Sequence, residues 1–199
     1  MEQHPSQQHL ERSEEQRAKP AGVIGVLGAG TMGAGIAQLA CRAGAQTLLF
    51  DPVAEALERG LQSARRGLGK EAEKGRLSSA QAAAASERLR AVQDLGALAP
   101  CELVIEAVPE RLELKHEIYR QLSEVVQQSC VLATNTSSLL VTAIAAAVRS
   151  PERVVGMHFF NPAPLMALLE VVAGERSSEQ ALALAHATGE AMGKTVIRA

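Results

Sequence analysis

The run VIGVLGAGTMGAGIA, Val23 to Ala37, sets three glycines at G-x-G-x-x-G spacing, Gly28, Gly30 and Gly33, between an apolar β-type segment and a helical one. That order commits the chain to a strand, a tight turn and a helix that starts at once. Gly28 permits the turn, Gly30 lets the backbone approach a pyrophosphate, and Gly33 lets the helix lie close on the strand with its positive N-terminal end toward the phosphates. Taken alone, the string also fits a glycine-rich packing turn with no ligand. The next β-type run, QTLLF (46 to 50), ends in Asp51, eighteen residues after Gly33. A carboxylate there accepts hydrogen bonds from the adenosine ribose diol of a dinucleotide and repels a 2′-phosphate. No Arg directly follows it, so the pattern favours NAD over NADP.

Beyond this unit, short β-type runs alternate with longer helical ones, the pattern of a parallel sheet. Strands are expected at 22–28, 46–50, 89–92, 102–108, 130–134, 153–159, 167–172 and 194–198, and helices at 32–43, 53–74, 79–88, 111–127, 138–148 and 178–191. The link from His158 to Glu170 differs, because NPAPLM is too short for a crossover helix and antiparallel pairing is the natural alternative. The expected fold is α/β: a Rossmann-type doubly wound, mainly parallel sheet with an antiparallel extension.

Composition removes several function classes. A net charge of −2 supplies no basic field, so no nucleic-acid partner is expected. Cys41, Cys101 and Cys130 are far apart and odd in number, which suggests neither a metal site nor a disulfide framework and fits a reduced, cytoplasmic setting. Two uncharged stretches, 21–41 and 129–148, reach the ~20 residues that cross a bilayer. The first holds six glycines and the second carries TNTSS at its middle, where lipid offers no hydrogen-bond partner, so no membrane span is expected. Residues 1–20 lack an apolar signal core and read as a disordered leader, which leaves 21–199 as one domain. With aromatics at 2% and much Ala and Gly, its interior must be packed by close backbone contact.

Ligands of doubly wound sheets gather outside the carboxyl ends of the strands. Those ends bring Glu106 and Glu110, then Asn135, Ser137 and Ser138, then His158 and Asn161. Structural roles are open to each: Glu110 as a first-turn helix acid, one serine as the N-cap of a helix starting near Leu139, and Glu106 as a satisfied strand carboxylate. His158 and Glu170 form a more pointed pair. If their runs are adjacent antiparallel strands, a turn centred on Pro164, halfway between them, sets the two directly opposite, with Cβ atoms ~4.5–5.5 Å apart. A carboxylate so placed orients the imidazole, fixes its tautomer and raises its basicity, the arrangement of a general base; a surface pair is the other reading. His4, His9, His116 and His186 lie in the leader or on helices and are expected to be solvated. Arg59, Arg66, Lys70 and Lys74 share a helix face, either as a solvated surface or as a handle for an anionic substrate.

In GAGTMGAGIA, LVIEAVPE, ATNTSSL, PERVVGMHFFNPAPLMALLEVV and the late GK, the chain resembles the NAD-binding domain of the 3-hydroxyacyl-CoA dehydrogenase family from about Ala21 to its last residue. The resemblance implies that His158 takes the proton of the 3-hydroxyl while hydride leaves C3 for the nicotinamide, with Glu170 holding His158. It implies that Ser137 hydrogen-bonds the substrate oxygen and that Asn161 places the nicotinamide ribose and substrate. Glu110 and Lys115 match positions near the cofactor, together with Gly28, Ala29, Gly30, Thr31, Met32, Gly33 and Asp51. Lys74 matches a lysine that contacts coenzyme A, and Gly67 falls where some members carry a serine for the same ligand. The family continues past this point with a D-x-P-G-F segment and an all-helical domain that forms a homodimer and closes over the acyl-CoA. Without that domain the chain is expected to be inactive. Two other readings are a non-catalytic NAD-binding domain and a β-hydroxyacid dehydrogenase, which would need a catalytic Lys on a following helical segment.

Overall fold

The computed structural model describes residues 18–199, so most of the leader, with His4 and His9, lies outside the described residues. The strands are β1 (Val23–Leu27), β2 (Gln46–Phe50), β3 (Leu89–Val92), β4 (Leu103–Glu106), β5 (Val131–Thr134), β6 (Val154–Phe159), β7 (Leu168–Ala173) and β8 (Thr195–Arg198). The helices are α1 (Thr31–Arg42), α2 (Ala54–Glu73), α3 (Ser79–Arg88), α4 (Leu112–Val125), α5 (Val141–Ala145) and α6 (Glu179–Ala191). All eight strands form one sheet in the order β3-β2-β1-β4-β5-β6-β7-β8. Every neighbouring pair is parallel except β6 with β7. The order reverses between β1 and β4, the switch point where a crevice opens beyond the strand ends.

Each face of the sheet carries an apolar layer. Ile24, Val26, Ile36, Leu39, Leu68, Met157 and Phe159 belong to one, and Val104, Tyr119, Leu122, Leu132, Ile144 and Val154 to the other. Small side chains let the first layer close up: Gly33 to Cys41 are all buried on α1. Starts and stops follow local chemistry. Ser78 and Gln81 form a reciprocal capping box at α3, and Ser178 accepts from Ala181 N–H at the start of α6.

Two local expectations fail. The helix foreseen at 138–148 shrinks to α5, its N-cap residue is Leu140, and no serine caps it: Ser138 Oγ turns to Glu110, and Thr136 Oγ1 takes the Leu139 N–H. Short 3-10 turns at Leu95–Leu98 and Pro151–Arg153 were not foreseen; the first is fixed by Asp94, whose carboxylate accepts from Gly96 N–H at 2.7 Å. None of the described helices is long and apolar enough to cross a membrane. Among the described residues no group of three or more His, Cys, Asp or Glu could hold a metal.

Candidate active site

The glycine loop is forced by contact. A Cβ on Gly33 would stand 1.7 Å from the carbonyl oxygen of Gly28, and Gly28 itself has φ +98°, so neither position admits a side chain without moving backbone. Gly28 N–H donates to Phe50 O at 2.8 Å and Ala29 N–H to Asp51 Oδ2 at 2.8 Å, so the end of β2 closes the loop. Asp51 Oδ1 accepts Val53 N–H at 2.9 Å. Each carboxylate oxygen retains lone-pair capacity toward the cleft. That cleft, of about 850 Å³, runs over Gly28, Gly30, Thr31 and Asp51 to Val108 and Ile118.

NAD fits these residues. The N-terminus of α1 has no side-chain cap and no acid in its first turn, leaving its N–H groups for a diphosphate, and a side chain at Gly30 would extend into open space. Asp51 would offer a diol acceptor and would repel a 2′-phosphate. Asp51→Asn should weaken NAD roughly 10–100-fold, the scale of a hydrogen bond to a charged group, and narrow the preference over NADP, as read by titration calorimetry.

Between the cleft and the 136–138 loop lies a wired polar cluster. Glu106 is fully buried and accepts from Lys115 Nζ at 2.7 Å, Thr134 Oγ1 at 2.8 Å and Val108 N–H at 2.8 Å, so the satisfied-carboxylate reading holds. Lys115, also buried, reaches Glu110 at 3.4 Å. Glu110 precedes α4 rather than entering its first turn; Oε1 accepts Ser137 N–H and Ser138 N–H, both at 3.1 Å, Ser138 Oγ at 3.2 Å and the Thr136 hydroxyl. Ser137 Oγ makes no hydrogen bond among the described residues and is exposed. Thr136 gave no sequence signal, since its partner is 26 residues away.

Burial pushes the Glu110 carboxyl up, but bonds from Thr136, Ser138 and Ser137 and the charge of Lys115 outweigh it and lower the pKa to about 2. A lowered carboxylate stabilises its fold above its ordinary value of 4.5 and loses that contribution as pH falls toward about 2. Protection of the Ser137 and Ser138 amides should therefore fade across that window in hydrogen-exchange measurements, ahead of the β1 and β2 amides.

The third component stands at the ends of β6 and β7. His158 pairs directly with Glu170 in the ladder, and His158 Nδ1 lies 2.8 Å from Glu170 Oε2. With Nδ1–H given to the carboxylate, Nε2 keeps its lone pair. The pair is part-exposed, 20% and 30% by side chain, and the Phe160 ring packs on the imidazole at 4.6 Å between centroids. Val155, Met157 and Phe159 point into the α1 layer, whereas a Cβ at Gly156 would meet Val141 of α5; alternation therefore sends His158 to the α5 side, where the 136–138 loop lies. Asn135 Oδ1 accepts Phe159 N–H at 2.8 Å and ties the ends of β5 and β6 together. Asn161 follows in the exposed turn.

A family model described as the NAD-binding domain of 3-hydroxyacyl-CoA dehydrogenase matches residues 23–199. The chain belongs to the 3-hydroxyacyl-CoA dehydrogenase family. A 3-hydroxyadipyl-CoA dehydrogenase of Escherichia coli is 49% identical over 151 residues, 76% of this chain and 32% of the relative. A probable 3-hydroxybutyryl-CoA dehydrogenase of Deinococcus radiodurans is 41% identical over 172 residues, 86% of this chain and 62% of the relative. The crystal structure of a 3-hydroxybutyryl-CoA dehydrogenase from Escherichia coli superposes with a TM-score of 0.87 at 43% identity, covering 89% of this chain and 38% of that one.

In this dehydrogenase domain the basic residues of α2 do not act as one group. Helices α1 and α2 run side by side, with Gln38 and Arg42 both bonded to Glu71, the latter at 3.1 Å. Lys74 therefore sits beyond the far end of α1, ~18 Å from the glycine loop at 1.5 Å per residue. Arg59 and Arg66 instead line a groove of about 330 Å³ beside Gly30 and Thr31. One histidine departs from the solvated reading, since His116 Nε2 donates to Ala143 O at 2.7 Å; His186 stays on the surface, 3.7 Å from the exposed Glu190.

Proposed function

We propose that this chain is the cofactor-binding and base-carrying part of an enzyme that oxidises (S)-3-hydroxyacyl-CoA to 3-ketoacyl-CoA, or runs the reverse reduction. The observation that carries it is the 2.8 Å contact between His158 and Glu170 at the sheet end that also presents the 136–138 loop. NAD, when bound over the glycine loop, supplies the hydride acceptor for C3. His158 Nε2 takes the proton of the 3-hydroxyl, and Glu170 stabilises the imidazolium that results. In the reverse direction the same imidazolium returns the proton to the oxygen.

Ser137 Oγ, held by a loop whose amides are fixed on Glu110, donates to the substrate oxygen. Asn161 helps to orient the substrate and the nicotinamide ribose. Lys115 serves at one remove, by holding Glu106 and Glu110 rather than by reaching the cofactor. Acyl-CoA thioesters are the proposed substrates; two relatives are named for the 3-hydroxyadipyl and 3-hydroxybutyryl members of that class. Closure over the substrate and a homodimer interface fall to a following helical domain, and Lys74 is kept as a contact for the distal part of coenzyme A.

The test joins this chain to the C-terminal segment of the Deinococcus relative and follows NADH absorbance with acetoacetyl-CoA. Turnover supports the assignment. A folded protein that binds NAD yet turns over no acyl-CoA sinks it.

A further inference from the structure

Lys194 is a buried cation outside the site described above. No carboxylate lies within ion-pair distance of it among the described residues. It lies between α6 and β8, immediately before Thr195, and its Nζ donates to Ala163 O at 2.5 Å and to Met166 O at 2.7 Å. Both carbonyls belong to the turn that joins β6 to β7. The same turn is closed internally by Leu165 N–H and Met166 N–H, which both donate to Pro162 O. On its other side it rests on the cofactor helix, where a Cβ at Gly35 would stand 3.0 Å from Pro164 Cδ and 3.2 Å from Ala163 Cβ.

An ammonium desolvated without a counter-charge is costly unless its donors are fully used. Burial and the nearby Arg42 charge both lower the pKa of Lys194. A methionine would fill similar volume without that cost, so stability alone does not call for a lysine here. Its hydrogen bonds do something an apolar chain cannot: they fix two carbonyls, three residues apart, of a turn that β8 otherwise holds only at Ala167 O. That loop presents Asn161 and closes the strand pair bearing His158 and Glu170.

We propose that Lys194 is a positioning residue for this reaction: it clamps the Asn161 turn against the cofactor helix and so holds the turn in register with the His158–Glu170 pair. This rests on the function proposed above for that pair, but the clamp can be tested without turnover. In the 199-residue chain, Lys194→Met should speed amide exchange at Leu165 and Met166 by roughly tenfold or more, the scale of hydrogen bonds to a charged group. Gly28 and Val108 amides should exchange at the wild-type rate, and NAD affinity should stay within about twofold. Lys194→Arg, which keeps a cation with several N–H donors, should restore most of the protection.

In the joined protein, Lys194→Met should lower kcat roughly tenfold, with only a small rise in KM for NAD because the turn also carries Asn161, and Lys194→Arg should recover both. Unchanged exchange at Leu165 and Met166 in the Met variant would overturn the clamp. Acceleration spread equally over the glycine loop would overturn it too, since that is what general loosening of the fold produces. Should the Met variant fail to fold, the Arg variant decides: turn protection close to wild type supports the clamp, and protection lost only in the turn refutes a cation-held turn. Altered exchange with no turnover even in the unsubstituted joined protein would refute the acyl-CoA assignment and leave the clamp standing.

Discussion

His158→Gln is expected to lower kcat by at least ~100-fold, the usual scale for losing a general base, which is the role proposed for it, while NAD affinity stays within about twofold. Gln keeps polarity and approximate size but has no nitrogen able to take a proton at neutral pH. The glycine loop and Asp51 are on β1 and β2, three and four strands away from β6, so cofactor binding has no route to the loss. Glu170→Gln has a different signature. The imidazole keeps a hydrogen-bond partner at 2.8 Å but loses the charge that stabilises its protonated form, so kcat falls less and is lost most where the oxidation depends on proton uptake. Steady-state rates and calorimetric NAD titration of the joined protein check both. A kcat unchanged by His158→Gln removes this residue from the chemistry.

Lys115→Met has the largest effect on stability. It strips the 2.7 Å partner from Glu106, a carboxylate with no solvent exposure, and breaking a buried pair from one side costs about 3–5 kcal/mol. Glu110 also loses its 3.4 Å cation, so the 136–138 loop slackens at the same time. The paired change Glu106→Gln with Lys115→Met removes both charges and should recover a large part of the loss. The midpoint of urea unfolding measures each variant, and NAD titration reports on the loop separately. A Lys115→Met protein as stable as the original would mean that the two buried charges are not coupled.

Much of this arrangement is written locally in the chain. The strands at 46–50 and 89–92 and the helix at 79–88 appear with the expected bounds, because their apolar periods and caps are set by neighbours in sequence. The facing of His158 and Glu170 follows from a turn midpoint at Pro164 and the two-residue period of strands. The polar cluster was not legible in that way. Glu110 had two readings on its sequence neighbours, and the outcome was decided by Thr136, Ser137 and Ser138, 26 to 28 residues away. Local capping preference favoured a serine at the start of a helix; Glu110 instead takes both serine amides and the Ser138 hydroxyl. In sequence Lys115 is named only through the resemblance, as a position near the cofactor, and the fold turns it inward between Glu106 and Glu110.

Strand alternation on β6 has one more consequence, for how this protein can change. A residue gained or lost in its turn from Phe160 to Ala167 would disturb the Lys194 clamp but would leave His158 on the same face of β6. One residue inserted between Val154 and His158 is another matter. It would rotate the imidazole to the opposite face of the sheet, beside Met157 and away from its acid, and no adjustment of the turn could bring it back. The proposed chemistry is therefore protected by parity: the strand counts residues in twos, and His158 meets Glu170 on only one of the two counts.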